Sequence, residues 1–104
     1  MSLPQALTAT EISAALSKFP AWKLVDGKIV RDIEFKDFKE ALAFMNAVGD
    51  RAEAMQHHPE WTNVYNRLHI ELITHDAAPP RGALSALDFS LAEQIEMILS
   101  AGSK

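Results

Sequence analysis

At Pro59 the spacing of apolar residues changes from that of a helix to that of a strand. Before it, Phe38, Leu42, Met45, Val48, Ala52 and Met55 recur at helical intervals and predict one apolar stripe on a helix that runs to about residue 56. After it, from Trp61 to Thr74, the period is two. Val64, Asn66, Leu68, Ile70 and Leu72 fall on one side, and Tyr65, Arg67, His69, Glu71 and Ile73 on the other. A proline disfavours helical geometry at the residue before it, so the helix must end near His58. Fourteen residues are long for one strand. Two strands with a tight connection near Asn66 are expected instead.

The remaining elements follow from local signals. Thr8-Ala-Thr-Glu11 has the form of a capping box, and Ile12, Ala15, Leu16 and Phe19 continue at helical spacing until Pro20. This predicts a helix over 9–18, with residues 1–6 loose. Asp26-Gly27 is a turn dipeptide between short alternating runs, which predicts a hairpin with strands at 21–25 and 28–35. Asp37 can cap the helix that ends before Pro59. Residues 77–82 (Ala-Ala-Pro-Pro-Arg-Gly) read as a loop. Ser85 or Asp88 then precedes a last helix to about residue 100, with Leu87, Leu91, Ile95, Ile98 and Leu99 as its stripe.

The order is α-β-β-α-β-β-α. Hairpins in place of crossovers predict an α+β two-layer sandwich, a four-stranded antiparallel sheet with three helices on one face. Its other face carries charge. Edge strands left open by so small a sheet would be covered by pairing between copies, so a homodimer is expected.

At 104 residues the chain is the size of one domain, expected to span 1–104 without a linker or repeat. A net charge of -4 provides no basic footprint for nucleic acid or an anionic membrane surface. With no cysteine there are no disulfides, thiolate metal sites or cysteine nucleophiles. No apolar run approaches the ~20 residues of a membrane span, and no signal-peptide pattern opens the chain, so the expected location is cytoplasmic.

Three of the four histidines, His57, His58 and His75, lie at the two ends of the stretch around Pro59. Histidine exchanges protons near neutral pH. The simplest reading of His57-His58 is a pair capping the last carbonyls of the helix. His75, at the far end of the later strand, can meet them in one cleft. Glu53, one turn before His57, can hold an imidazole through a hydrogen bond. Zinc is the rival reading, but the pair lacks the His-x3-His spacing, and adjacent histidines seldom reach one ion together. His69 lies mid-strand among charges and reads as a surface residue. Trp61 and Tyr65 read as core aromatics or as a stacking platform for a flat heterocycle. Asp88 is most simply a first-turn residue of the last helix.

At these residues the sequence resembles the pterin-4a-carbinolamine dehydratases. The pattern runs from the acidic Glu53 to His57-His58-Pro59, then Tyr65, His75 and Asp88. Trp61, Val64-Tyr65-Asn66, Ile70, Leu72 and Thr74-His75-Asp76 also match, and the likeness covers nearly the whole chain. One departure is a longer, proline-containing loop at 77–83. The resemblance implies dehydration of a 4a-hydroxytetrahydropterin, the product of aromatic amino-acid hydroxylases, to the quinonoid dihydropterin. It implies His57 and His75 as acid and base, and His58 as the residue that orients substrate. Glu53 would orient His57. Trp61 and backbone groups at Ile73-Thr74 would hold the pterin, with Asp88 in a supporting role. No metal or other cofactor is implied, since the pterin is the substrate. The partners implied are that pterin and a homodimer or homotetramer, with no nucleic acid and no membrane. The other function implied is that of some relatives, a protein-interaction module serving as dimerisation cofactor of a homeodomain transcription factor.

Overall fold

The structure, a computed structural model, describes residues 4–78 and 81–101. It has α1 (Ala9–Leu16), β1 (Lys23–Val25), β2 (Lys28–Glu34), α2 (Phe38–Met55), β3 (Glu60–Val64), β4 (Arg67–Leu72) and α3 (Ala86–Ala101). The strands form one antiparallel sheet in the order β1-β2-β4-β3, which leaves β1 and β3 as its edges. Side chains from all three helices pack on its inner face around Ile29, Leu68, Ile70, Leu72, Leu91 and Ile95. The fold class is therefore the α+β sandwich that the element order predicts.

The local signals act as their chemistry requires. Thr8 and Glu11 close the capping box, with backbone-to-side-chain bonds of 2.8 and 3.1 Å. Asp26 and Gly27 both take positive φ, 51° and 81°, as a two-residue hairpin turn demands. Asp37 caps α2 by accepting from the Glu40 amide at 2.9 Å. Ser85 stands directly before α3, and its hydroxyl accepts from the Leu87 amide.

Several boundaries and faces differ from expectation. Helix α1 stops at Leu16, because Ser17, Lys18 and Phe19 bond back three or four residues in tightening turns ahead of Pro20. Trp22 belongs to the turn that follows, its amide bonded to the Phe19 carbonyl, so β1 begins only at Lys23. The buried stripe of α2 is Ala41, Phe44, Val48 and Ala52, while Phe38 and Leu42 are exposed. Met45 and Met55 flank the stripe, partly buried. Phe44 and Val48 share the inward line with two alanines, so apolar residues on both sides of that line, Phe38 and Leu42 among them, compete with it in the periodicity.

Val64 was expected beside Leu68 and Ile70, yet it faces Arg67 on the open side of the sheet and is 56% exposed. Tyr65 and Asn66 form a tight turn, with Tyr65 at φ 52°, so a period of two counted straight through them changes sides. Pro79 and Pro80, the prolines of the longer loop expected at 77–83, lie outside the described residues, as do residues 1–3 of the segment expected to be loose. The rest of that segment leads to Leu7, whose amide bonds the Leu84 carbonyl at 2.8 Å.

Candidate active site

The end of α2 is a Schellman motif, in which the last carbonyls are capped by amides beyond a left-handed residue. Gln56 takes φ 54° and ψ 40°, its amide bonds the Glu53 carbonyl, and the His57 amide bonds the Ala52 carbonyl. Left-handed geometry breaks the helical register at Gln56. His57 is thereby turned inward and buried, while His58 remains outside.

The inward ring meets the first turn of α3. His57 Nε2 lies 2.7 Å from Asp88 Oδ1. Asp88 has no exposed surface, and its other oxygen accepts from the Thr74 hydroxyl at 2.8 Å and the Ser85 amide at 2.9 Å. The Thr74 hydroxyl donates to Asp88, so the 2.6 Å contact between Thr74 and Ser85 is donated by Ser85. Every buried side-chain polar atom among the described residues has a partner. Three donors converge on the Asp88 carboxylate, which matches an anion; His57 is then the Nε2–H tautomer, with Nδ1 left to accept a proton.

The other two rings repeat this arrangement nearer solvent. His58 Nε2 lies 2.8 Å from Glu53 Oε1, and His75 Nε2 lies 3.2 Å from Glu60 Oε2. The second oxygen of Glu60 is 2.6 Å from Lys28 Nζ. That lysine hydrogen bond is the main reason the Glu60 carboxyl sits below its ordinary range, and His75 adds to it. All three imidazoles thus contact a separate carboxylate through the same ring nitrogen.

These rings line one cleft of about 230 Å³ with Ile73, Thr74, Asp76, Leu87, Gln56 and Pro4. Helix α2 delivers His57 and His58, the chain beyond β4 delivers Ile73, Thr74 and His75, and α3 supplies the carboxylate behind His57. Gly82 packs closely against the backbone that carries His75. It has φ +85°, and a Cβ there would come within 3.3 Å of the His75 Cα and the Thr74 carbonyl oxygen.

Four features depart from the sequence reading. Glu53 orients His58 and not His57, because the left-handed Gln56 ends the helical spacing on which that pairing relied. Trp61 is not part of the cleft lining; it pairs with Ile70 in the sheet and packs against the core. Tyr65 is an exposed turn residue. The backbone of Thr74 is already committed, its amide to Ala83 and its carbonyl to Ala77 and Ala83, so its contribution is through the hydroxyl on Asp88. Glu60 and Lys28 have no expected site role, and Ser85 is expected only as a candidate start of the last helix. Glu60 directly follows Pro59, and its place in the histidine stretch was the one hint available.

His69 lies on the open sheet face between Asp32 and Glu71, at 2.6 and 2.8 Å, away from the cleft. Among the described residues no group of three or more His, Cys, Asp or Glu is arranged to hold a metal ion.

A helix end and a strand end thus bring three imidazoles onto one small cleft. The model of the family Pterin 4 alpha carbinolamine dehydratase matches residues 5–98. A relative from Solibacter usitatus is 49% identical over 92 residues, 88% of this chain and 93% of its own. Another, from Novosphingobium aromaticivorans, is 47% identical over 95 residues, 89% of this chain and 95% of its own. Both carry the provisional name pterin-4-alpha-carbinolamine dehydratase. A solved structure from Brucella melitensis, described as a transcriptional coactivator/pterin dehydratase, superposes with a TM-score of 0.83 at 36% identity, over 90% of this chain and 98% of that one. The chain belongs to the pterin-4-alpha-carbinolamine dehydratase family.

Proposed function

We propose that this protein dehydrates a 4a-hydroxytetrahydropterin to the quinonoid dihydropterin and water. The observation that carries the reading is the set of three imidazoles on one cleft, each holding a carboxylate on Nε2 and leaving Nδ1 for proton exchange.

The step needs an acid and a base. A proton goes to the C4a hydroxyl, the C–O bond breaks and water leaves with its electron pair. A ring-nitrogen lone pair forms the new C=N bond, and that nitrogen's proton goes to the base. Nothing is oxidised or reduced, so no cofactor is called on. His57, backed by the buried Asp88 carboxylate, suits the base, because a low-dielectric partner stabilises the imidazolium that forms. His75 is open to water, from which it can be reprotonated, and suits the acid. His58, held by Glu53, orients the substrate.

The substrate would come from an aromatic amino-acid hydroxylase, and the protein would act in the cytoplasm as a homodimer or homotetramer, with β1 or β3 as the edge for pairing between copies. A second reading follows the coactivator half of the Brucella neighbour's description: a protein-interaction module, acting as dimerisation cofactor of a transcription factor.

Stopped-flow measurement of carbinolamine dehydration tests the two readings. His57→Ala and His75→Ala should each lower the rate by roughly 10²–10⁴ with the fold intact. Oxidised pterin should bind saturably and move the signals of all three rings. Near-wild-type rates in both variants, or no saturable pterin binding, overturns the enzymatic reading and leaves the interaction module.

A further inference from the structure

Glu60 belongs to two networks at once. One oxygen faces His75 in the cleft at 3.2 Å; the other holds Lys28 at 2.6 Å on the open face of the sheet. From Lys28 the chain of contacts continues to Glu71 at 3.3 Å, to His69 at 2.8 Å and to Asp32 at 2.6 Å. Sheet register builds this bridge. Glu60 sits opposite Glu71, Lys28 closes the first hairpin, and His75 follows the end of β4.

We propose that Glu60 is the positioning residue for His75, and that Lys28, by sharing its carboxylate, sets how strongly Glu60 acts on the ring. The proposal rests on the reading of His75 as a proton-transfer group.

An anionic acceptor at Nε2 holds the ring as the Nε2–H tautomer and presents Nδ1 to the cleft. It also stabilises the imidazolium form. Lys28 opposes that second effect, since its positive charge lies on the far oxygen of the same carboxylate. The Lys28 ammonium is itself held above its ordinary range, by Glu60 first and Glu71 next. The other charged or titratable groups around His75 are His57 and His58 across the cleft and Asp76 beside it. Glu60 and Lys28 are both partly exposed, and ion pairs at such sites add little to stability. A purely structural role would therefore leave a weak trace, and a catalytic one would be read in proton transfer.

Glu60→Gln and Lys28→Met in the full chain test this. Ring signals of His75 are followed by NMR across pH without substrate, alongside the pH profile of kcat/KM. In Glu60→Gln the midpoint of the His75 signal should move to lower pH, and kcat should fall roughly tenfold at little-changed KM. In Lys28→Met the same midpoint should move to higher pH. Glu60→Asp should restore part of kcat. Opposite movements cannot come from a general loosening of the fold. Midpoints that stay put, or that move in the same direction in both variants, overturn the proposal. If the midpoints move as stated but the wild-type protein does not dehydrate the carbinolamine, the dehydratase reading fails and the coupling stands. If the wild type is active and the midpoints are still, the coupling alone fails.

Discussion

The Nε2 of His57 lies 2.7 Å from Oδ1 of Asp88, a carboxylate with no exposed surface and with two further donors on its other oxygen. The pair joins a helix end to the first turn of a helix 31 residues later. It decides which nitrogen of His57 carries the proton and which is left to accept one.

Asp88→Asn separates that role from shape. The amide oxygen is needed where the Thr74 hydroxyl and Ser85 amide donate, which turns the NH2 toward His57. His57 must then accept at Nε2 and carry its proton on Nδ1, the wrong atom for a base facing the cleft. Dehydration should fall by roughly 10²–10⁴. Unfolding in urea should show a loss of about 1–3 kcal/mol from the rearranged buried bonds. A variant with wild-type rates would show that the tautomer of His57 does not matter.

Gln56→Gly should stabilise the protein. Gln56 occupies a left-handed position at φ 54°, which costs a residue with a Cβ about 1–2 kcal/mol. Its side-chain amide returns part of this through a 3.0 Å bond to the Glu53 carbonyl. A net gain of about 0.5–1 kcal/mol in urea unfolding is expected. Gln56→Val, with a β-branched chain at the same φ, should lose stability.

Gly82→Ala should do the reverse and reach the site. At φ +85° the new Cβ is strained, and it meets the His75 Cα and Thr74 carbonyl at 3.3 Å, so the backbone carrying His75 must shift. Expected are a stability loss of about 1–2 kcal/mol and a fall in dehydration rate larger than that loss explains at a temperature where the variant is fully folded. Thermal unfolding and stopped-flow rates on one sample check both.

Stability should change with pH on both sides of a plateau, because the open-face network contains groups shifted in opposite senses. Glu60 and Glu71 are held below their ordinary value of 4.5, Glu60 chiefly by Lys28 and Glu71 chiefly by His69. What they contribute is present above that value and is lost as pH falls through their lowered ones. His69 is held above its ordinary 6.5 by Glu71 and then Asp32. Its contribution is complete below 6.5 and is lost as pH rises through the raised value. The network should stabilise most between about pH 5 and 6.5, with small amplitudes because the groups are partly exposed. Melting temperatures across pH should show the decline above 6.5 flattened in His69→Gln and both slopes reduced at high salt.

The sequence by itself determined what depends on neighbours along the chain. The capping box at Thr8, the Asp26-Gly27 turn, the cap at Asp37, the helix stop before Pro59 and the element order are set by backbone geometry and hydrogen bonds a few residues apart. The gathering of His57, His58 and His75 was legible only as a possibility, since a helix end and the far end of the strand run that follows it can meet in one cleft. Only the tertiary structure decided which carboxylate meets which imidazole. One left-handed residue, Gln56, rotates His57 away from Glu53, and one two-residue turn puts Val64 on the opposite side of the sheet from Leu68 and Ile70. The partners that replace the expected ones, Asp88 for His57 and Glu60 for His75, are brought within hydrogen-bond reach by helix packing and strand register. Such contacts are distributed over the whole fold, and no window of the chain around either histidine contains them.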